Sequence, residues 1–225
     1  SFKDTAQNIE AMKIDAVVMR HPTPGAPKLL TEFIDAVVIN AGDGTHEHPT
    51  QAILDMMSLH EKFGKLKGLK IGIVGDISHS RVALSNIYGL LIMGAEVTLC
   101  GPPNLIPPFI KELGVEVSTQ IDEVIEWADA LNVLRIQRER MGLGLVPSTR
   151  EYRAMFGLTQ ERLDTHKKEI VIMHPGPMNR GVEIDGTVAD GDQAIILDQV
   201  LNGVASRMAI LYLLCGGKSS EGDES

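Results

Sequence analysis

The feature that most constrains the fold is an alternation, along nearly the whole chain, of short apolar runs with helical patterns. The apolar runs have the length of β-strands. The intervening segments space their apolar residues as an amphipathic helix does, for example Ile121, Val124, Ile125 and Ala128. Strands separated by helices pair in parallel through crossover connections. The sequence therefore predicts an α/β protein with parallel sheets flanked by helices.

The predicted strands form two groups on either side of a Lys- and Gly-rich break at residues 65–68. The first group is 14–19 and 35–39; the second is 69–74, 95–99, 115–118, 130–134 and 169–173. We predict one lobe from residues 1–50 with a final long helix in 193–216, a connecting helix at 51–64, and a second lobe at 65–192. We expect the apolar end of the final helix to be buried against a domain. The polar tail, 217–225, is predicted to be disordered.

The first lobe is undersized for independent folding, because it holds only two predicted strands in roughly 50 residues. The chain also begins with Ser1 and carries no signal peptide. We therefore expect it to be the later part of a longer gene product, with an incomplete first lobe.

Charge and cysteine usage narrow the functional class. The chain has 21 basic and 30 acidic residues, a formal charge of −9, which argues against non-specific nucleic-acid binding. A few focused arginines can still bind small anions on such a protein. No apolar run reaches the roughly 18 residues of a membrane span. Cys100 and Cys215 lie far apart, and no His or Cys spacing suggests a metal site, so we expect a cytoplasmic protein with free thiols.

Polar residues follow most of the predicted strands, and in parallel α/β sheets ligands bind at the carboxyl ends of strands. Arg20 follows the first strand, and His48 and Gln51 lie beyond the second. The other such residues are Arg81, Arg135, Gln137 and the run His174-Pro175-Gly176-Pro177. We predict that these residues converge on one site.

His48 and Gln51 are three residues apart across a helix start at Pro49, so they share a face. Together with Arg20, such a helix N-terminus suits a phosphate or a polarised carbonyl. Taken alone, His48 is more simply explained as a helix cap and Gln51 as a surface residue.

Arg135 and Gln137 alternate at one strand end and should point the same way, while Arg81 opens a helix. Two arginines and an amide could hold a dicarboxylate, because the guanidinium fork matches carboxylates. An ordinary surface ion pair is the alternative for each arginine. A nucleotide-binding module is disfavoured, because Gly72–Asp76 lacks the G-x-G-x-x-G pattern.

Several segments, in this order, resemble the motifs of the aspartate and ornithine carbamoyltransferase family. They are Met19-Arg20-His21-Pro22, His48-Pro49-Thr50-Gln51, Gly75-Asp76 with Arg81, Arg135-Ile136-Gln137, and His174-Pro175-Gly176-Pro177. The similarity covers about residues 1–216. The Arg-x-Gln and His-Pro-Gly-Pro segments match the aspartate enzymes, whereas ornithine enzymes show Ser-Met-Gly and His-Cys-Leu-Pro segments that are not found here.

The resemblance implies transfer of the carbamoyl group of carbamoyl phosphate to L-aspartate (EC 2.1.3.2), an early step of de novo pyrimidine biosynthesis. Arg20 and His48 would be catalytic, with no metal or organic cofactor. The carbamoyl phosphate site would comprise Arg20, His48, Gln51, Pro175 and Gly176. The aspartate site would comprise Arg81, Arg135, Gln137, Gly176 and Pro177.

The resemblance also implies a homotrimer with shared active sites and leaves association with regulatory chains open. The family's Ser-Thr-Arg-Thr phosphate loop and the Ser and Lys loop donated by a neighbouring subunit are not in this chain. We therefore expect weak or no activity from the chain alone. The alternatives are a carbamoyltransferase with another, ornithine-like acceptor and a non-catalytic homologue that scaffolds a partner.

Overall fold

The computed structural model describes residues 1–136, 148–166 and 169–216. Its first sheet consists of two parallel strands, β1 (Ala16–His21) and β2 (Val37–Asp43). Helices α1 (Phe2–Ala11) and α2 (Ala26–Leu30) accompany this sheet. Its core is a small apolar cluster around Ala6, Leu30 and Ile34.

The second sheet has five parallel strands in the order β5-β4-β3-β6-β7. They are β3 (Lys70–Val74), β4 (Glu96–Cys100), β5 (Glu116–Ser118), β6 (Ala130–Val133) and β7 (Val171–Met173). Its helices are α4 (Arg81–Ile92), α5 (Ile121–Trp127), α6 (Thr149–Phe156), α7 (Gln160–His166) and α8 (Gly186–Ala189). Short 3₁₀ turns occupy Pro103–Leu105 and Ile110–Leu113.

Alternate residues of the second sheet enter two apolar clusters, as the period of two in a strand requires. Ile73 belongs to the cluster built with Ile87 and Leu90 of α4. Val74 belongs to the cluster that contains Val124 of α5 and Phe156 of α6. Both faces are thus buried, which explains why the strands are continuous apolar runs. The predicted class, parallel sheets flanked by helices, is confirmed.

Helix α3 (Pro49–Phe63) packs against α4 and against the final helix, α9 (Ile196–Cys215). Gly64 ends α3 in the left-handed conformation at φ 71°, where a glycine carries no Cβ penalty. The helix also contacts β2, so it touches elements of both sheets. The division into lobes at 1–50 with 193–216, 51–64 and 65–192 stays a prediction.

The apolar end of α9 departs from the prediction that it is buried. Tyr212 is 77% exposed and Leu213 74% exposed. Apart from Ile196, the buried side of α9 is polar or small and holds Gln199, Asn202, Gly203 and Ser206. Among the described residues nothing covers the apolar side, so the prediction was wrong for this part of the chain. The predicted disordered tail, 217–225, lies outside the described residues.

Some element boundaries also differ from the predicted ones. Helix α1 starts directly after Ser1, because Ser1 and Asp4 form a reciprocal capping box. Strand β2 runs to Asp43, through residues that we expected in a loop. Of the helices described, none is long and apolar enough to cross a membrane.

Candidate active site

A cleft of about 830 Å³ lies where the carboxyl ends of strands from both sheets face each other. It is lined by the predicted residues Arg20, His48, Gln51, Arg81, Arg135, Pro175, Gly176 and Pro177, whereas the predicted His174 is buried and does not line it. Gln137 lies outside the described residues. A cleft of this size suits small-molecule ligands.

The order of the second sheet explains why a crevice opens here. From β3 the chain continues to β4 on one side, whereas β6 pairs with β3 on the other. The segments that follow β3 and β6 diverge at this switch point, which is where α/β proteins bind ligands. Asp76 follows β3 and Arg135 follows β6, and both line the cleft.

His48 precedes α3 but makes no side-chain capping hydrogen bond, so the helix-cap interpretation does not hold. Its backbone N–H donates to Ser85 Oγ of α4 at 2.8 Å, which ties the start of α3 to the second lobe. Its ring Nε2 lies 3.3 Å from Arg20 Nη2. The imidazole is therefore held in the cleft wall beside a guanidinium.

The His48 ring is uncharged near neutral pH. Burial, with the positive charges of Arg20, Arg81 and Arg207, lowers its pKa to about 4. A guanidinium can only donate, so Nε2 accepts from Arg20 and the single ring proton sits on Nδ1. That buried Nδ1 has no hydrogen-bond partner among the described residues. If Arg20 turns to an anion, the ring can take the other tautomer, with its proton on Nε2, and Nε2 can then donate a hydrogen bond.

Arg81 packs flat against Gly42 at the end of β2. A Cβ added to Gly42 would lie 2.9 Å from Arg81 Nε, and the φ of +122° also disfavours any other residue. Arg81 Nη1 donates to the Gly44 carbonyl at 3.1 Å. Burial and the neighbouring Arg20 lower the pKa of Arg81, with Asp43 opposing. Mutual repulsion between guanidinium groups favours a bound anion.

Arg20 is exposed, and its Nε donates a hydrogen bond to the Ala41 carbonyl at 2.9 Å, which anchors the side chain. Arg135 is also exposed, directly beyond β6. Arg207 of α9 lines the same cleft and was missed from the sequence. Its signal was present, because it is the only basic residue in the sequence of α9.

The segment after β7 forms another wall of the cleft. The buried His174 donates its backbone N–H to Gln199 Oε1 at 3.0 Å, and its Nδ1 accepts the Gly176 N–H at 2.9 Å. His174 Nε2 lies 3.4 Å from Glu183 Oε1, and both side chains are fully buried. The Gly176–Pro177 peptide is cis. This network fixes the backbone of Pro175 and Gly176 beside Gln51 in the cleft wall.

A buried carboxylate behind the cleft, Asp55, was also not predicted from the sequence; its side chain is fully inaccessible. Four amide groups donate to it: Gln51 at 2.9 Å, Gln199 at 2.7 Å, Asn86 at 2.8 Å and Asn132 at 3.4 Å. Burial raises its pKa to about 6, while the amide hydrogen bonds oppose that shift. Polar residues on the inner faces of α3 and α9 were its sequence signal.

Two family models match the chain. The model described as aspartate/ornithine carbamoyltransferase, carbamoyl-P binding domain, matches residues 1–61. The model described as aspartate/ornithine carbamoyltransferase, Asp/Orn binding domain, matches residues 67–214. Across the described ranges, no group of three or more His, Cys, Asp or Glu residues could hold a metal ion.

Curated relatives support the same assignment. An aspartate carbamoyltransferase catalytic subunit from Gemmatimonas aurantiaca is 60% identical over 220 residues, 98% of this chain and 69% of the relative. One from Christiangramia forsetii is 60% identical over 211 residues, 94% of this chain and 68% of the relative. The chain thus spans about two thirds of each relative's length.

Solved structures have the same fold. The catalytic subunit of aspartate transcarbamoylase from M. jannaschii has a TM-score of 0.82 at 33% identity, over 98% of this chain and 72% of that one. The aspartate transcarbamoylase from Trypanosoma cruzi in complex with N-(phosphonacetyl)-L-aspartic acid has a TM-score of 0.77 at 28% identity. The match covers 94% of this chain and 69% of that one.

Proposed function

Because the chain belongs to the aspartate/ornithine carbamoyltransferase family, we propose that its cleft transfers the carbamoyl group of carbamoyl phosphate to L-aspartate. The products are N-carbamoyl-L-aspartate and phosphate, the reaction of EC 2.1.3.2 in pyrimidine biosynthesis. The observation that carries this proposal is a neutral, buried imidazole surrounded by arginines in one cleft. Both substrates are anions, and the reacting carbonyl needs a hydrogen-bond donor.

Arg20, His48 and Gln51 are assigned to carbamoyl phosphate. The Arg20 guanidinium binds phosphate and carbonyl oxygens, which takes it away from His48 Nε2. The neutral His48, now in the tautomer with its proton on Nε2, donates a hydrogen bond to the carbonyl oxygen and stabilises the negative charge that develops there. Gln51 and a carbonyl of Pro175 or Gly176 accept hydrogen bonds from the carbamoyl amino group.

Arg81, Arg135 and Gln137 are assigned to the two aspartate carboxylates, with the Gly176–Pro177 segment beside them. The neutral amine of aspartate attacks the carbonyl carbon and forms a C–N bond and a tetrahedral intermediate. The C–O bond to phosphate then breaks, and the leaving phosphate accepts the proton from the amine. The protein supplies orientation and charge stabilisation and forms no covalent intermediate.

The resemblance extends this proposal to assembly and location. We place the protein in the cytoplasm, as a homotrimer whose neighbouring subunits share active sites. The chain alone has weak or no activity in this account, because the family's phosphate loop is not among its residues. Association with regulatory chains is left to experiment.

The test is a transfer assay with carbamoyl phosphate and either L-aspartate or L-ornithine, with the carbamoylated product identified by mass spectrometry. It is run on the chain alone and on the chain joined to the part of the Gemmatimonas relative that lies outside the match. We expect N-carbamoyl-L-aspartate from the joined protein. Transfer only to ornithine, or no transfer at all, would overturn the proposal.

A further inference from the structure

The buried Asp55 connects the two walls of the cleft that are assigned to the carbamoyl amino group. On one side its Oδ1 accepts a hydrogen bond from Gln51 Nε2 at 2.9 Å. The same oxygen accepts from Gln199 Nε2 at 2.7 Å. Gln199 Oε1 in turn accepts the His174 backbone N–H at 3.0 Å, directly before Pro175. An unbroken chain of hydrogen bonds therefore runs from Gln51 to the segment that follows β7.

The chemistry of a carboxylate fixes the direction of these hydrogen bonds. An ionised carboxylate only accepts, so both glutamine side chains must turn their NH₂ groups toward Asp55. Gln51 lines the cleft, and its remaining polar atom for a ligand is the carbonyl oxygen Oε1. With its NH₂ turned toward Asp55, Gln199 presents its carbonyl to His174. A neutral amide at position 55 would not impose this orientation.

The second carboxylate oxygen anchors Asp55 itself. Asn86 of α4 donates to Oδ2 at 2.8 Å, and Asn132 of β6 donates at 3.4 Å. Asp55 thus gathers side chains from α3, α4, β6 and α9, and all of them are buried. A buried anion held only by amides is costly, so a plain structural role would be served as well by apolar packing.

We propose that Asp55 is a positioning residue that holds Gln51 and, through Gln199, the Pro175–Gly176 backbone as a pair of acceptors for the amino group of the carbamoyl substrate. This rests on the proposed function and adds a specificity device to it. A carbamoyl group offers two N–H donors to that pair, whereas an acetyl group of the same shape offers a methyl group. Asp55 therefore controls discrimination between carbamoyl phosphate and acetyl phosphate without touching either.

The test compares kcat/KM for carbamoyl phosphate with kcat/KM for acetyl phosphate, with aspartate as acceptor, in the form of the protein that is active in the transfer assay. In Asp55→Asn the new NH₂ lets Gln51 rotate and present its own NH₂ to the substrate. We expect the carbamoyl-to-acetyl ratio to fall about tenfold, the scale of one lost hydrogen bond. Inhibition by inorganic phosphate should change less than about twofold, because phosphate does not contact this pair.

Asn202→Ala is the matched control. Asn202 joins the same two helices one turn further along, by donating to Ser58 Oγ at 3.0 Å and to Glu61 Oε2 at 2.6 Å. The Asn202→Ala variant loses a contact between α3 and α9 like that made by Gln199. Its carbamoyl-to-acetyl ratio of kcat/KM should nevertheless be unchanged. Gln199→Leu is the second variant, used if Asp55→Asn does not fold, and it should lower the ratio in the same direction.

The outcomes separate the two proposals. An active wild type with an unchanged ratio in the folded Asp55 or Gln199 variant would overturn the positioning role and leave the proposed function intact. An equal fall in Asn202→Ala would also overturn it, because general loosening of the α3–α9 contact would then explain the effect. An inactive wild type would instead remove the proposed function and this inference with it.

Discussion

The chemistry of the cleft depends on side chains whose protonation is set by their neighbours. His48 is neutral because burial and three nearby arginines disfavour a further positive charge. A neutral imidazole keeps one ring N–H that can donate a hydrogen bond to a developing oxyanion near neutral pH. Asp55 lies behind it as a buried carboxylate whose pKa is displaced in the opposite sense. The two residues should therefore change the pH dependence of stability in opposite directions.

The first residue-scale prediction concerns His48→Ala. The variant lacks the donor to the carbonyl oxygen, so kcat should fall about 10²–10³-fold, the usual loss for one oxyanion donor. The KM for aspartate should change little, since the carboxylates are assigned to other residues. Steady-state kinetics of the transfer reaction provide the measurement. A kcat close to that of the wild type would contradict the role of His48.

The second prediction concerns stability against pH. The pKa of Asp55 is about 6 in the folded protein against an ordinary value of 3.8. Its ionisation therefore lowers the free energy of unfolding as pH rises from about 4 to 6, by an amount on the order of 3 kcal/mol. The pKa of His48 is about 4 against 6.5, so its contribution is present above pH 6.5 and is lost as pH falls through about 4.

Urea unfolding of the wild type, Asp55→Asn and His48→Ala at several pH values between 4 and 7 checks these signs. Relative to Asp55→Asn, the wild type should lose stability as pH rises. Relative to His48→Ala, it should gain stability over the same range. Parallel profiles for all three proteins would mean that neither group is displaced as described.

Among the secondary-structure elements, the strands and helices were predictable where burial alone determines the pattern of apolar residues. Four of the five strands of the second sheet are largely buried, and their apolar runs mark them within one or two residues; the edge strand β5 is partly exposed. Residues 40–43 misled because Asn40, Gly42 and Asp43 look like a turn. Asn40 and Asp43 side chains bond within this segment and keep it paired as part of β2.

The element-scale prediction concerns the contact between β2 and the start of α4. Gly42→Ala would push Arg81 off the backbone, because the new Cβ lies within 3.1 Å of Arg81 Nε, Cζ and Cδ. The KM for aspartate should rise about tenfold through the loss of an anchored carboxylate contact. Steady-state kinetics at varied aspartate concentration measure the effect.

Gly64→Ala is the control for this contact. Gly64 also has a positive φ, 71°, but an added Cβ would meet nothing within 4 Å. Both variants should lose about 1–2 kcal/mol of stability from backbone strain. Only Gly42→Ala should alter KM. An equal rise of the KM for aspartate in Gly64→Ala would mean that backbone strain, and not the displacement of Arg81, causes the effect.

At the scale of the whole molecule, the site exists because two sheets place their strand ends on opposite sides of one cleft. The pairing of Arg20 with His48, and of Arg81 with Arg135, could be predicted from the sequence, because parallel strands of one sheet share a carboxyl edge. The meeting of the two edges in one cleft depends instead on how the two sheets pack. Asp55 and Arg207 stand out in the sequences of α3 and α9, but their place at the site could not be predicted, because it depends on how these two helices pack against each other. The exposed apolar side of α9 shows the same limit, since a residue pattern does not specify which side meets a neighbour.

The most direct measurement of the central claim is a crystal structure of the active protein with N-(phosphonacetyl)-L-aspartate, which joins a phosphonate to an aspartate. We expect the phosphonate beside Arg20, the amide carbonyl within hydrogen-bond distance of His48 Nε2, and the carboxylates on Arg81 and Arg135. A ligand bound outside this cleft, or one whose carboxylates face away from both arginines, would contradict the proposed function.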